Sequence, residues 1–163
     1  MTILARVATL GYILSPDGEK VLMVHRQGNP DDYHAGKFNG LGGKLEANED
    51  IVSCMKREIY EEAGIQCTHL SLRGTISWPG FGKAGEDWFG FIFLIQQFTG
   101  VPKSFNTEGT LVWVEKTNIT NLNLWAGDRH FLPLVFDPSI PQFHGVMPYQ
   151  AGIPVSWSVS FLT

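Results

Sequence analysis

The chain has 163 residues, a hydrophobic fraction of 44% and a formal net charge of −4. That length fits a single domain, expected to span residues 1–163, with one substantial core. The mild acidity and the lack of any basic run exclude a chain built to grip duplex nucleic acid. A free small-molecule nucleotide stays open as a partner, because a metal ion can neutralise phosphates without a basic surface. Cys54 and Cys67 stand in unrelated contexts, which argues against a disulfide framework and for a reducing, cytoplasmic setting. Residues 1–6 lack the basic-then-apolar order of a signal peptide. The longest apolar stretch, around residues 88–95, is too short to span a bilayer. No membrane partner is expected, and a monomer is the simplest assembly.

Residues 7–14 are apolar and rich in β-formers, so they read as a strand. Ser15-Pro16-Asp17-Gly18 is a turn signature, and residues 21–25 return as a second strand of a hairpin. Residues 27–37 are polar and broken by Gly, Pro and Asp, as in a loop. Residues 39–45 are punctuated by Gly40, Gly42 and Gly43. Residues 50–63 lack Pro and Gly and form the strongest helix of the chain, with Asn48 as a plausible N-cap and Gly64 as the stop. Val52, Ile59 and Ala63, with Met55 nearby, share a face at helical spacing. Residues 70–78 and 87–98 read as strands joined by a Gly-rich loop, and residues 111–114 as another short strand. Residues 128–136 form a last helix, in which Pro133 must sit early or cause a kink. The tail, residues 143–162, is broken by Pro148, Gly152 and Pro154 and suggests a terminal hairpin. Strands on both sides of one strong helix predict a mixed α/β fold.

The informative segment lies between Gly43 and Ile65. Glu58, Glu61 and Glu62 stand at i, i+3 and i+4, which puts three carboxylates on one helix face. Two unit charges ~6 Å apart at an effective dielectric near 20 repel by roughly 3 kcal/mol. Such a cluster beside an apolar face needs something positive among it, and a hard divalent cation wants oxygen ligands of this kind. Arg57 compensates only in part. Gly42-Gly43 lets the backbone pass close under the helix, where a carbonyl could be a further ligand, and Glu49 is placed to pair with Arg57. A solvated acidic helix end is the plain alternative for the acidic triplet taken alone.

These residues resemble the Nudix hydrolase superfamily. Its signature, G-x5-E-x7-R-E-U-x-E-E-x-G-U with U a bulky apolar residue, is filled by Gly43, Glu49, Arg57, Glu58, Ile59, Glu61, Glu62, Gly64 and Ile65. The resemblance implies the Nudix α/β/α sandwich, a mixed sheet between helices. It implies hydrolysis of a nucleoside diphosphate linked to another group, assisted by Mg²⁺ or Mn²⁺. The implied metal set is the Gly42 carbonyl, Glu58, Glu61, Glu62 and Glu108. The implied catalytic set is Glu58, Glu61, Glu108, Arg57 and Glu49, with the general base among the first three. Glu108 lies outside the signature and could equally be a solvated loop acid.

The flanks narrow the substrate. Residues 37–44, the segment Leu124-Trp125-Ala126-Gly127-Asp128 with Phe131-Leu132-Pro133-Leu134, and Phe143-His144-Gly145 are similar to the MutT/MutX-like 8-oxo-dGTP diphosphatases. The similarity runs over nearly the whole chain. It implies attack at the β-phosphorus of an oxidised purine nucleoside triphosphate, giving nucleoside monophosphate and pyrophosphate. Asn39 and Asp128 would hydrogen-bond the purine edge from opposite walls, Trp125 would stack on the base, and Tyr33, Trp78 and Lys44 would complete the substrate set. Plainer readings are core tryptophans for Trp125 and Trp78, a turn residue for Asn39 and a helix cap for Asp128. The chain departs from these relatives where the first of two adjacent aspartates is Gly127, and again in the loop Trp78-Pro79-Gly80-Phe81. Other substrates, such as a nucleotide sugar, a dinucleotide polyphosphate or a cap-like RNA end, are the alternative. So is a catalytically silent nucleotide-binding module. The five histidines show no zinc spacing, and Cys54 reads as a small helix residue rather than a nucleophile.

Overall fold

A computed structural model describes residues 1–28 and 35–163. In chain order the elements are β1 (Ala5–Leu14), β2 (Lys20–Arg26), β3 (Phe38–Asn39), β4 (Leu41–Lys44), α1 (Ile51–Ala63), β5 (Gln66–Trp78), β6 (Asp87–Thr99) and β7 (Gly109–Glu115). A 3₁₀ turn (Lys116–Asn121), α2 (Asp128–Phe136), β8 (Gln142–Val146), β9 (Tyr149–Gln150), β10 (Ile153–Pro154) and β11 (Ser158–Leu162) follow. One large sheet runs β11-β8-β5-β6-β1-β2-β3, with β4 also on β1 and β7 also on β2. β1 and β6 are parallel, as are β5 and β8, while the other pairs of this sheet are antiparallel, so the sheet is mixed.

The sheet is buried on both faces, and strand alternation assigns each side chain to its layer. Tyr12, Val21, Met23, Ile76 and Ile92 pack with Phe131, Leu132 and Val135 of α2. Their neighbours Ile13, Leu22, Val24 and Ile95 point the other way, onto Met55, Ile59 and Ala63 of α1. The expected sandwich is therefore present, with one helix on each face.

Several boundaries differ from the sequence reading. The N-cap of α1 is Asp50, not Asn48: its carboxylate accepts from the Val52 and Ser53 N–H groups at 2.9 Å. Asn48 instead adopts φ 67° in the preceding turn, a left-handed conformation that Asn tolerates. Gly64 ends the helix as expected, at φ 74°. Val52 is 41% exposed and lies off the buried stripe, whereas Cys54 is buried on it. The glycine-punctuated segment forms β3 and β4, and β5 starts at Gln66, ahead of residue 70. Pro133 lies inside α2. Carbonyls at that helix's end and in the turn beyond it are collected by Arg73, whose guanidinium donates to Leu134, Val135, Asp137 and Ile140. The tail hairpin is β8 with β11, and a small β9–β10 hairpin is inserted between them.

Candidate active site

Gly42 and Gly43 seat α1 on the sheet. A Cβ on Gly42 would collide with the Thr9 carbonyl of β1, and one on Gly43 with the Glu58 carboxyl. Only glycine lets β4 pass this close beneath the helix. Arg57 then organises the acids around it. Its Nε and Nη2 donate to Glu49 at 3.0 and 2.7 Å, and Nη1 donates to Glu58 at 2.9 Å and to Glu61 at 3.3 Å. Glu49 is consequently held well below the usual carboxylate range, at about 2, and the Arg57 guanidinium is held charged.

Glu62 lies on the inner side of this group. Burial, and then the facing carboxylates of Glu108 and Glu58, push its pKa up to about 9, against an opposing hydrogen bond from the Gly42 N–H. Three oxygen-donor side chains from two elements thus repel one another around a partly buried space, which is the donor chemistry a hard divalent cation satisfies. Among the described residues no three acidic, His or Cys side chains are already gathered into a finished cage. The reason is local: Arg57 draws Glu58 and Glu61 toward itself, and Arg26 holds Glu108 at 3.0 Å. Glu61, with its side chain 56% exposed, stands outermost.

Next to the acids the α2 face of the sheet opens into a cleft of about 250 Å³. Ala8, Thr9, Leu10 and Gly90 line it along with Asn39, Gly40, Gly42, Arg26 and Glu108, and Trp78, Phe81, Trp88, Trp125, Tyr149 and Asp128 complete it. Strand geometry explains the floor. Ala8 pairs with Gly90 across the parallel β1–β6 ladder, and Gly90 has no side chain because the Trp78 ring lies over it. Trp125 follows a segment tied to β3 by the Phe38 N–H donating to Asn123 O at 3.0 Å. The Lys37 ammonium sits 5.7 Å from the Trp125 ring centroid, a cation–π distance. Asp128 begins α2, and it is Gly127 rather than Asp128 that occupies the N-cap. Burial pushes the Asp128 carboxyl from 3.8 up to about 7, with Lys37 and Arg129 pulling the other way.

The structure therefore brings Asn39, Trp78, Trp125, Asp128, Gly42 and Glu108 to one cleft, beside Glu58 and Glu62. Lys44 does not line it; its ammonium lies 5.5 Å over Trp88, a ring that does. Tyr33 lies outside the described residues. Arg26, Phe81, Trp88 and Tyr149 were not anticipated. Arg26 could have been found from the β2–β7 register, which pairs it with Gly109 beside Glu108, but Tyr149 had no local signal.

The NUDIX domain family matches residues 4–135, and the chain belongs to that family. It is a Nudix hydrolase of nucleotide-like substrates, of the MutT-like kind. It is 30% identical to the uncharacterized Nudix hydrolase YvcI of Bacillus subtilis, over 91% of this chain and 89% of that one. It is 28% identical to the oxidized purine nucleoside triphosphate hydrolase of Danio rerio, over 90% and 88%. The crystal structure of the mutator MutT protein from Bacillus halodurans superposes with a TM-score of 0.81 at 25% identity, covering 94% of this chain and 97% of that one. No helix among the described residues is long and apolar enough to cross a membrane.

Proposed function

We propose that the chain hydrolyses purine nucleoside triphosphates, preferring an oxidised purine of the 8-oxo-dGTP type, to the nucleoside monophosphate and pyrophosphate. The observation that carries this reading is a single cleft in which tryptophan rings, Asn39 and Asp128 are lining partners of Arg26, Gly42 and Glu108. An apolar slot with a few polar groups suits a flat base that must be oriented. The Asn39 amide offers both a donor and an acceptor to a base edge. An Asp128 carboxyl titrating at about 7 can donate or accept there near neutral pH. The printed name of the Danio rerio relative supports the same substrate class.

On the phosphate side, Arg26 supplies fixed positive charge next to Glu108. Mg²⁺ or Mn²⁺, held by Glu58, Glu61, Glu62, Glu108 and the Gly42 carbonyl, would neutralise the polyphosphate and polarise the phosphorus under attack. Arg57 and Glu49 hold Glu58 and Glu61 in place, and one of Glu58, Glu61 and Glu108 takes the proton from the attacking water.

A second reading, a nucleoside diphosphate carrying a larger group, draws on an adjoining chamber of about 350 Å³. That chamber shares Phe81, Trp88, Trp125 and Tyr149 with the first and adds Lys83 and Glu86. A substrate panel with product analysis separates the two. Turnover of 8-oxo-dGTP no faster than dGTP or ADP-ribose would overturn the first reading, and a nucleotide sugar or dinucleotide polyphosphate turned over fastest would establish the second.

A further inference from the structure

Gly127 is buried at the head of α2 and has no side chain to offer the cleft. A Cβ there would lie 2.5 Å from the Tyr149 hydroxyl oxygen and would also collide with the Met147 sulfur. The phenol hydroxyl and the Met147 sulfur together therefore occupy the space that a residue-127 side chain would fill, one position before Asp128. Tyr149 lines the same cleft as Asn39 and Asp128.

The ring is held there by its surroundings. The Tyr149 N–H donates to the Pro79 carbonyl at 2.7 Å, and the Phe81 ring meets it edge-on at 5.0 Å. Its strand, β9, is closed on β10 by a turn whose two central residues, Ala151 and Gly152, have φ of 52° and 77°. Positive φ at both positions is what the tightest hairpin turn needs. An aromatic side chain so fixed presents its polar tip at little entropic cost.

We propose that Tyr149 is a specificity-determining residue, its hydroxyl taking a place beside Asp128 in reading the edge of the bound base. This rests on the purine-nucleotide reading above. The chemistry at that position is neutral. A phenol hydroxyl both donates and accepts, whereas a carboxylate only accepts once ionised. The wall is thus one titrating acid beside one hydroxyl, and the two favour base edges that present an acceptor and a donor side by side.

The test compares wild type with Tyr149→Phe, which keeps the ring and removes one oxygen. Steady-state kinetics are measured on dGTP, 8-oxo-dGTP, dATP and oxidised dATP, with tryptophan-fluorescence titration of the matching monophosphates in the absence of metal. Loss of one neutral hydrogen bond weakens binding about two- to thirteen-fold. That loss should fall on KM and monophosphate affinity for guanine-type or adenine-type bases, not equally on both. Equal change for all bases, or none, overturns the proposal.

Gly127→Ala supplies the second arm, since its Cβ would meet the same hydroxyl as well as the Met147 sulfur. In the double variant the two effects should be non-additive, and additivity overturns the assignment. If wild type hydrolyses none of the triphosphates yet the monophosphates bind with Tyr149-dependent selectivity, the proposed reaction fails and the specificity role stands. If no purine monophosphate binds, both fail.

Discussion

Replacing Asp128 by asparagine changes the charge of the cleft with almost no change in its shape. Burial raises this carboxyl from 3.8 to about 7 in the folded chain, so its ionisation costs the folded state stability. At a pH below 3.8 both folded and unfolded chains hold the proton and the cost is absent. As pH rises from there to about 7 the unfolded chain ionises first, and stability falls. Above about 7 the cost is complete. That interval, at about 1.4 kcal/mol per pH unit, sets a ceiling of about 4 kcal/mol. Solvent reaching the partly exposed side chain reduces it to roughly 1–3 kcal/mol. Asp128→Asn is therefore expected to match wild type at low pH and to exceed it progressively up to neutral pH. Urea unfolding of both proteins at about pH 4, 6 and 8 measures this, and thermal melts should show about 2–4 °C per kcal/mol. Equal stability at every pH, or a wild type that gains on the variant as pH rises, would refute the burial of this acid.

Glu58→Gln removes one oxygen charge from the acid cluster and should lower kcat by about a hundredfold or more with the fold intact. Magnesium-dependent turnover beside a circular dichroism melt checks it, and a wild-type rate would remove Glu58 from the machinery. The two glycines separate fold from site. Gly42→Ala drives a methyl into the Thr9 carbonyl and should destabilise by about 3 kcal/mol or more. Gly43→Ala meets the Glu58 carboxyl first and should cost activity more than stability. Arg73→Ala leaves four carbonyls without their donor and is expected to lower stability by about 2–4 kcal/mol. The accompanying loosening of α2 should also raise KM.

Sequence reading succeeded where the governing interactions are local. Helical spacing alone puts Glu58, Glu61 and Glu62 together, and the glycines at 42, 43 and 64 announce a close approach and a helix end without reference to the rest of the chain. It went wrong at the start of α1, where Asn48 and Asp50 are both competent caps. The turn decided between them by taking Asn48 into a left-handed conformation, and that choice depends on where β4 delivers the chain. Val52 was assigned to the buried stripe because periodicity gives a face but not the tilt at which the helix meets the sheet.

What residues 43–65 determine by themselves is a carboxylate-bearing helix tied to Arg57, because a helix fixes its own side-chain spacing whatever it packs on. Which distant groups face that helix was decided only by strand order and register. Those place Glu108, paired with Arg26, opposite Glu62 and set Ala8 beside Gly90 as the cleft floor. They also bring the late β9 strand to the head of α2, where Tyr149 meets Gly127. Such contacts join segments far apart in the chain, so no pattern within either segment contains them.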